Sequence, residues 1–268
     1  MEISYRNKKE YAVFAMRRSG HHAVMEWIMA NTPGTHCFLN DCDLIGNPFE
    51  TYKGGRQEAD NHNSTKEPIA NKELLIYNFE DMYFDQFSYE DLEKHHDTWL
   101  GSTKEFNTLL VLRDPFNLVA SKFKWYRGEE RKEWKPSLEE FKDTPNLWIA
   151  YAKEYLGITN ILKNKIVINY NDWFESEDNK KEIAELLGLS TYDKGYKKVA
   201  KYGANTWGDS FDNLNYENKA NEMNVFERWK SYKDDDEYIS MLNNSELLDL
   251  AEKIYPELTK KFKEHIGK

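Results

Sequence analysis

The chain has 268 residues, 40% hydrophobic and 15% aromatic, enough core-forming side chains to exclude wholesale disorder. Lys and Arg number 37 against 47 Asp and Glu, a formal net charge of −10 that argues against general nucleic-acid binding and leaves room only for a local basic pocket. No run approaches the roughly 20 apolar residues of a membrane span, and the opening residues lack a signal peptide's apolar stretch, so a soluble, cytoplasmic protein without a membrane partner is expected. Cys37 and Cys42 are expected as free thiols in a reducing compartment.

In chain order, YAVFAM (11–16) reads as a first strand. It runs into Arg17, Arg18, Ser19, Gly20, His21 and His22, and then into HAVMEWIMAN, whose Val24, Trp27 and Ile28 share a helical face. A strand that turns at Gly into a helix N-terminus exposes unpaired N–H groups and the positive end of the helix dipole, an anion cradle to which the arginines and the serine add donors. The ATP-binding pattern GxxxxGK followed by Ser or Thr is absent, since only one Gly is present and no Lys follows it. THCFL (35–39) is a second strand, followed by a polar connection at 41–72 that is either mobile or part of a site.

ELLIYNF (73–79) and NTLLVL (107–112) are the third and fourth strands. Arg113 follows the fourth at its carboxyl end, where ligands bind in open α/β sheets. PFNLVASKFKWY is a helix opened by Pro, and it carries Ser121 eight residues after Arg113, so both can face one phosphate. NLWIAYAKEYL is a further helix, KIVIN (165–169) the fifth strand, and KKEIAELLGL a helix closing near Gly188. An irregular stretch (200–219) precedes helical patterns at 221–232 and 245–265. Strands alternating with helices predict an α/β fold, a parallel sheet flanked by helices with a helical C-terminal cover, in a single domain over 1–268.

Arg18-Ser19-Gly20 and Arg113…Ser121 together resemble the sulfotransferases that use 3′-phosphoadenosine 5′-phosphosulfate (PAPS). In that family a basic residue and Ser-Gly on a strand–loop–helix bind the 5′-phosphosulfate, and a strand-ending Arg with a Ser eight residues on binds the 3′-phosphate. KIVINYNDWFESEDNKKEIAELLGL is similar to a third family segment, which puts Tyr170 where adenine is contacted. GDSFDNLN (208–215), with Ser210 and Phe211, resembles the segment lying over the adenosine. The resemblance implies a P-loop NTPase-like fold, PAPS as cofactor, and a small-molecule or glycan acceptor. It implies cofactor binding by Arg17, Arg18, Ser19, Gly20, His21, His22, Arg113, Ser121, Tyr170, Ser210 and Phe211. His21 and His22 replace the usual two Thr, Ala23 replaces an adenine-stacking aromatic that Phe211 or Trp207 would have to supply, and Arg228-Trp229-Lys230 loosely substitutes for a basic C-terminal segment. These departures place the chain outside the branch that sulfates hormones and phenols.

Sulfuryl transfer requires charge neutralisation at the leaving phosphate, here by Arg17, Arg18 and the 20–22 backbone, and a base for the acceptor proton. The resemblance puts that base near the end of an early strand: Glu80 is the first choice, with Asp81, Asp41 and His21 as alternatives, and Glu80 would need a pKa raised by burial beside Phe79 and Tyr77. Arg18 and His21 complete the expected catalytic set. No metal site is expected, because His21-His22 and His95-His96 are adjacent pairs without the i, i+4 spacing that presents two imidazoles on one helix face. The competing readings are a P-loop kinase with a degenerate loop and a catalytically inactive nucleotide-binding or interaction module.

Overall fold

Five strands, β1 (Asn7–Ala15), β2 (His36–Leu39), β3 (Lys72–Glu80), β4 (Thr103–Leu112) and β5 (Lys165–Asn169), form one parallel sheet in the order β2-β3-β1-β4-β5. The structure is a computed structural model that describes residues 5–53, 70–128, 137–195, 201–202, 206–207, 211, 216 and 219–267. Successive side chains of a strand point to opposite faces, so each apolar run feeds two cores. Along β1, Ala12 and Phe14 join Tyr77, Phe79, Leu110 and Leu112 on one face. Tyr11, Val13 and Ala15 join Leu74, Ile76, Leu109 and Val111 on the other.

Helices cover both faces. The second core is closed by α1 (His21–Ala30), whose Trp27 meets Trp173 edge-on at 5.8 Å between ring centroids. After α2 (Pro48–Thr51) and α3 (Tyr89–Trp99), the first core is closed by α4 (Pro115–Tyr126), α5 (Leu138–Lys142) and α6 (Thr144–Tyr155), which contribute Phe116, Phe123, Phe141, Trp148 and Tyr151. Asp114 caps α4 by accepting from the Asn117 N–H at 2.7 Å, and Pro115, which has no N–H to lose, begins it. On the opposite face α7 (Tyr170–Glu175) and α8 (Glu177–Leu186) follow β5.

The chain continues through two short strands, β6 (Lys201–Tyr202) and β7 (Thr206–Trp207), into α9 (Asp236–Leu242), α10 (Ser245–Ile254) and α11 (Pro256–His265). This cover locks onto α4 and β4: the Tyr238 hydroxyl donates to the Phe116 carbonyl at 2.8 Å, the Tyr255 hydroxyl to the Leu112 carbonyl at 3.2 Å, and the Phe262 ring packs tilted against Phe116 at 4.6 Å between centroids. Two expectations are corrected. The pattern at 221–232 folds as two 3-10 turns, Ala220–Glu222 and Arg228–Ser231, and 245–265 is two helices, because Pro256 lacks the N–H that a continuous helix would need. Among the described residues no helix is long and apolar enough to cross a membrane. Cys37 and Cys42 are buried free thiols.

β1 starts at Asn7, four residues before its apolar run, because its polar side chains find partners inside. Glu10, fully buried, accepts from the Tyr77 hydroxyl at 2.9 Å, from His96 Nε2 at 3.0 Å and from the Thr103 hydroxyl. Burial works against a charged His96 ring, but the Glu10 hydrogen bond and the charges of Glu10 and Asp97 raise its pKa to about 9. A pKa raised on folding stabilises fully below the unfolded value near 6.5 and is lost as pH rises through the folded one. The expected result is a thermal midpoint that falls by several degrees between pH 7 and pH 10, with His96→Gln abolishing that component; an unchanged pH profile in His96→Gln contradicts it.

Candidate active site

The carboxyl edge of the sheet concentrates backbone strain and charge. Four described non-glycine residues have positive φ, and three of them, Arg18 (74°), Asp41 (51°) and Asp81 (56°), follow the ends of β1, β2 and β3. Such conformations are unfavourable outside glycine and cluster where function demands them. Gly20, at φ 84°, is the N-cap of α1, and no side chain caps this helix end, which leaves its first N–H groups to an anion.

The requirement for glycine here is steric as well as conformational. A Cβ at position 20 would stand 2.2 Å from Cε2 of Tyr170. Gly20→Ala is therefore expected to cost about 2–4 kcal/mol in urea unfolding, and Tyr170→Ala in the same background to recover the steric part; no cost would contradict this close approach. Tyr170 itself is 5% exposed, with Arg113 over its ring at 5.2 Å, so it lies as a floor beneath the loop and offers little surface to an adenine.

Arg17 is held by carboxylates. Its Nε donates to Glu80 Oε2 at 3.0 Å, its Nη2 to Asp41 Oδ2 at 2.8 Å and its backbone N–H to Asp81 Oδ1 at 3.0 Å, an oxygen that also takes Lys122 Nζ at 2.7 Å. Glu80 is further surrounded by nitrogen. Its Oε1 lies 2.9 Å from His21 Nε2, 3.3 Å from His22 Nε2 and 3.2 Å from Asn78 Nδ2. Ser19 Oγ is 3.1 Å from His21 Nδ1, and His22 Nε2 is 2.7 Å from Asn40 Oδ1. The structure thus brings Arg17, Ser19, His21, His22 and Glu80 into one network.

The expected raised pKa of Glu80 is corrected. Burial alone would push this carboxyl up, but the His21 hydrogen bond and the charges of His21, His22 and Arg17 hold it well below the ordinary range. Asp41 goes the other way: burial and the neighbouring Glu80 charge raise it against the pull of Arg17 and Lys53. Its Oδ1 is buried with no hydrogen-bond partner. Adjacent in sequence, His21 and His22 nevertheless bring both imidazoles to one carboxylate oxygen.

Beside this network lies a second cationic group. Arg113, 2% exposed, donates from Nη1 to the Arg18 carbonyl at 3.1 Å and from Nη2 to the Val225 carbonyl at 2.6 Å, while its Nε has no hydrogen-bond partner. Trp148 Nε1 donates to the Arg113 carbonyl at 2.8 Å and fixes the strand end. Ser121, fully buried, receives Arg228 Nη1 at 2.8 Å. Arg228, which the structure brings to Ser121, is absent from the expected set; only its membership in a short basic run pointed to it. Phe211 lies between Lys124 and Arg228, at 4.9 and 5.6 Å from its ring, and lines a cleft with Tyr216, Met223 and Arg228. Ser210 and the side chain of Trp207 lie outside the described residues, as does 54–69 of the long connection.

No family model matches the chain, and no curated protein matches it. Among solved structures, the chain is similar to the sulfotransferase domain of the Synechococcus PCC 7002 olefin synthase, at 12% identity and a TM-score of 0.49, over 94% of this chain and 96% of that one.

Proposed function

We propose that the chain transfers a sulfuryl group from PAPS to a hydroxyl or amine acceptor. The observation that carries this reading is the pairing of an uncapped helix N-terminus at Gly20 with Arg113, Ser121 and Arg228, joined by the Arg113 bond to the Arg18 carbonyl. A nucleotide with anionic groups at both its 5′ and 3′ positions matches two adjacent anion sites. The fit is supported by the buried, unbonded Nε of Arg113. PAPS supplies an activated sulfuryl group on a phosphate leaving group. The 20–22 N–H groups and Arg18 stabilise charge on that phosphate, Arg113, Ser121 and Arg228 hold the 3′-phosphate, and Phe211 offers a ring face to the base.

The proton acceptor in this reading is Asp41 rather than Glu80. A carboxylate held well below its ordinary pKa is a weak base, whereas Asp41 keeps one oxygen unbonded at a raised pKa. Glu80 orients His21 and Arg17. A thermal-shift panel tests the nucleotide reading: PAP and PAPS are expected to raise the midpoint by several degrees, and 5′-AMP and adenosine 5′-phosphosulfate much less. Stabilisation by ATP with Mg²⁺ in the absence of any response to PAP would instead favour a kinase.

A further inference from the structure

Neighbouring residues of a helix point about 100° apart, so adjacent histidines ordinarily face different surroundings. His21 and His22 begin α1 beside the end of β3, and Glu80 reaches both. The ligating atoms His21 Nε2, His22 Nε2 and a Glu80 oxygen lie within 4.8 Å of one another, and the two rings stand 3.9 Å apart between centroids. His21 and Glu80 are buried and His22 is half-buried. Beyond His21, Ser19 Oγ at 3.1 Å partners Nδ1, the kind of outer contact that orients a ligating imidazole and leaves Nε2 to the ion. Asn78 Nδ2 and Arg17 Nε hold the Glu80 carboxylate in turn.

We propose that His21, His22 and Glu80 form a binding site for one divalent transition-metal ion of the zinc type. Two imidazole nitrogens and one carboxylate oxygen are a donor set suited to zinc and its neighbours, with positions left open for an exogenous ligand. Tetrahedral ligands at zinc bond lengths stand about 3.3–3.4 Å apart, and the two nitrogens already lie 2.9 and 3.3 Å from Glu80 Oε1. Binding replaces the Nε2 contacts of His21 with Glu80 and of His22 with Asn40 by bonds to the ion, each imidazole ligating as the neutral tautomer that carries its proton on Nδ1.

Charge around the site agrees. Arg17 and Lys122 meet three carboxylates, Glu80, Asp41 and Asp81, with Lys53 also acting on Asp41. A divalent ion adds positive charge at this edge and makes it more attractive to an anion. His21 and His22 stand on the first turn after the loop, so an anion received there abuts the ion and can enter its coordination sphere. The site goes beyond the sulfuryl-transfer reading and does not depend on it.

The test is calorimetric titration of the full chain, stripped with chelator, with Zn²⁺, and optical titration with Co²⁺. The expected result is one equivalent bound at micromolar or tighter Kd and a visible Co²⁺ absorption. His22→Ala and Glu80→Gln are each expected to weaken binding by about 100-fold or more, while His96→Gln binds as the wild type does. His22→Asn, checked for an unchanged thermal midpoint, replaces His22→Ala if the latter fails to fold. Absence of Zn²⁺ binding to the wild-type chain, or equal affinity in the wild type and the folded His22 variant, overturns the site. PAPS binding measured separately without metal keeps the two readings apart: its loss leaves the ion site standing, and its persistence without Zn²⁺ binding sinks the ion site alone.

Discussion

Arg113→Ala is expected to lower affinity for PAP by roughly 10- to 1000-fold, since a charge-assisted contact is worth on the order of 1.5–3 kcal/mol and more in a dry site. The guanidinium is buried, and its nearest carboxylate oxygen, Asp114 Oδ2, is 4.0 Å from Nε. That is too far for a hydrogen bond, so Nε is the donor the protein leaves for a ligand. Arg113 also ties the loop carbonyl of Arg18 to that of Val225, so its loss could act through packing alone. The ratio of PAP to 5′-AMP affinity separates the two effects. In the wild type the 3′-phosphate is expected to confer a large preference for PAP, and in Arg113→Ala that preference is expected to collapse toward one. An equal loss for both nucleotides would make Arg113 a structural tie and remove the 3′-phosphate site.

Asp41→Asn is expected to lose on the order of 10²–10⁴-fold in turnover with PAPS affinity within a factor of about two, because it removes the base and keeps the side-chain shape. The Arg17 Nη2 donor that Asp41 now accepts can still meet the amide oxygen. Glu80→Gln serves as the comparison: it disturbs His21 and Arg17 together, so PAPS affinity falls as well as rate. Near-normal turnover in Asp41→Asn with a pure rate loss in Glu80→Gln would return the base to Glu80.

The sheet was legible because its strands are continuous apolar runs, and some helices carry their own boundaries, as with Pro115 at the start of α4 and Gly188 after α8. Position 20 was legible as glycine in a strand-to-helix turn, although nothing local announces that the Tyr170 ring fills the space a side chain there would need. The spacing from Arg113 to Ser121 was readable because one helix joins them. Arg228 was not, since it meets Ser121 across 107 residues and through a short 3-10 turn that a helical pattern disguised. The start of β1 at Asn7 escaped notice because Glu10 reads as surface until Tyr77, His96 and Thr103 are seen around it. The Glu80 pKa failed for a related reason: burial was foreseen, and the convergence of His21, His22 and Arg17 was not. These are contacts between distant segments, which local pattern does not encode.

The most direct test of sulfuryl transfer is incubation of the chain with ³⁵S-labelled PAPS and a panel of phenols, alcohols, sugars, amines and peptides, with label followed into acceptor and PAP followed as product. Sulfuryl transfer predicts at least one labelled acceptor, PAP formed in equal amount, and loss of both in Arg113→Ala and Asp41→Asn. Tight PAP binding with no label transferred to any acceptor would contradict it and leave a nucleotide-binding module.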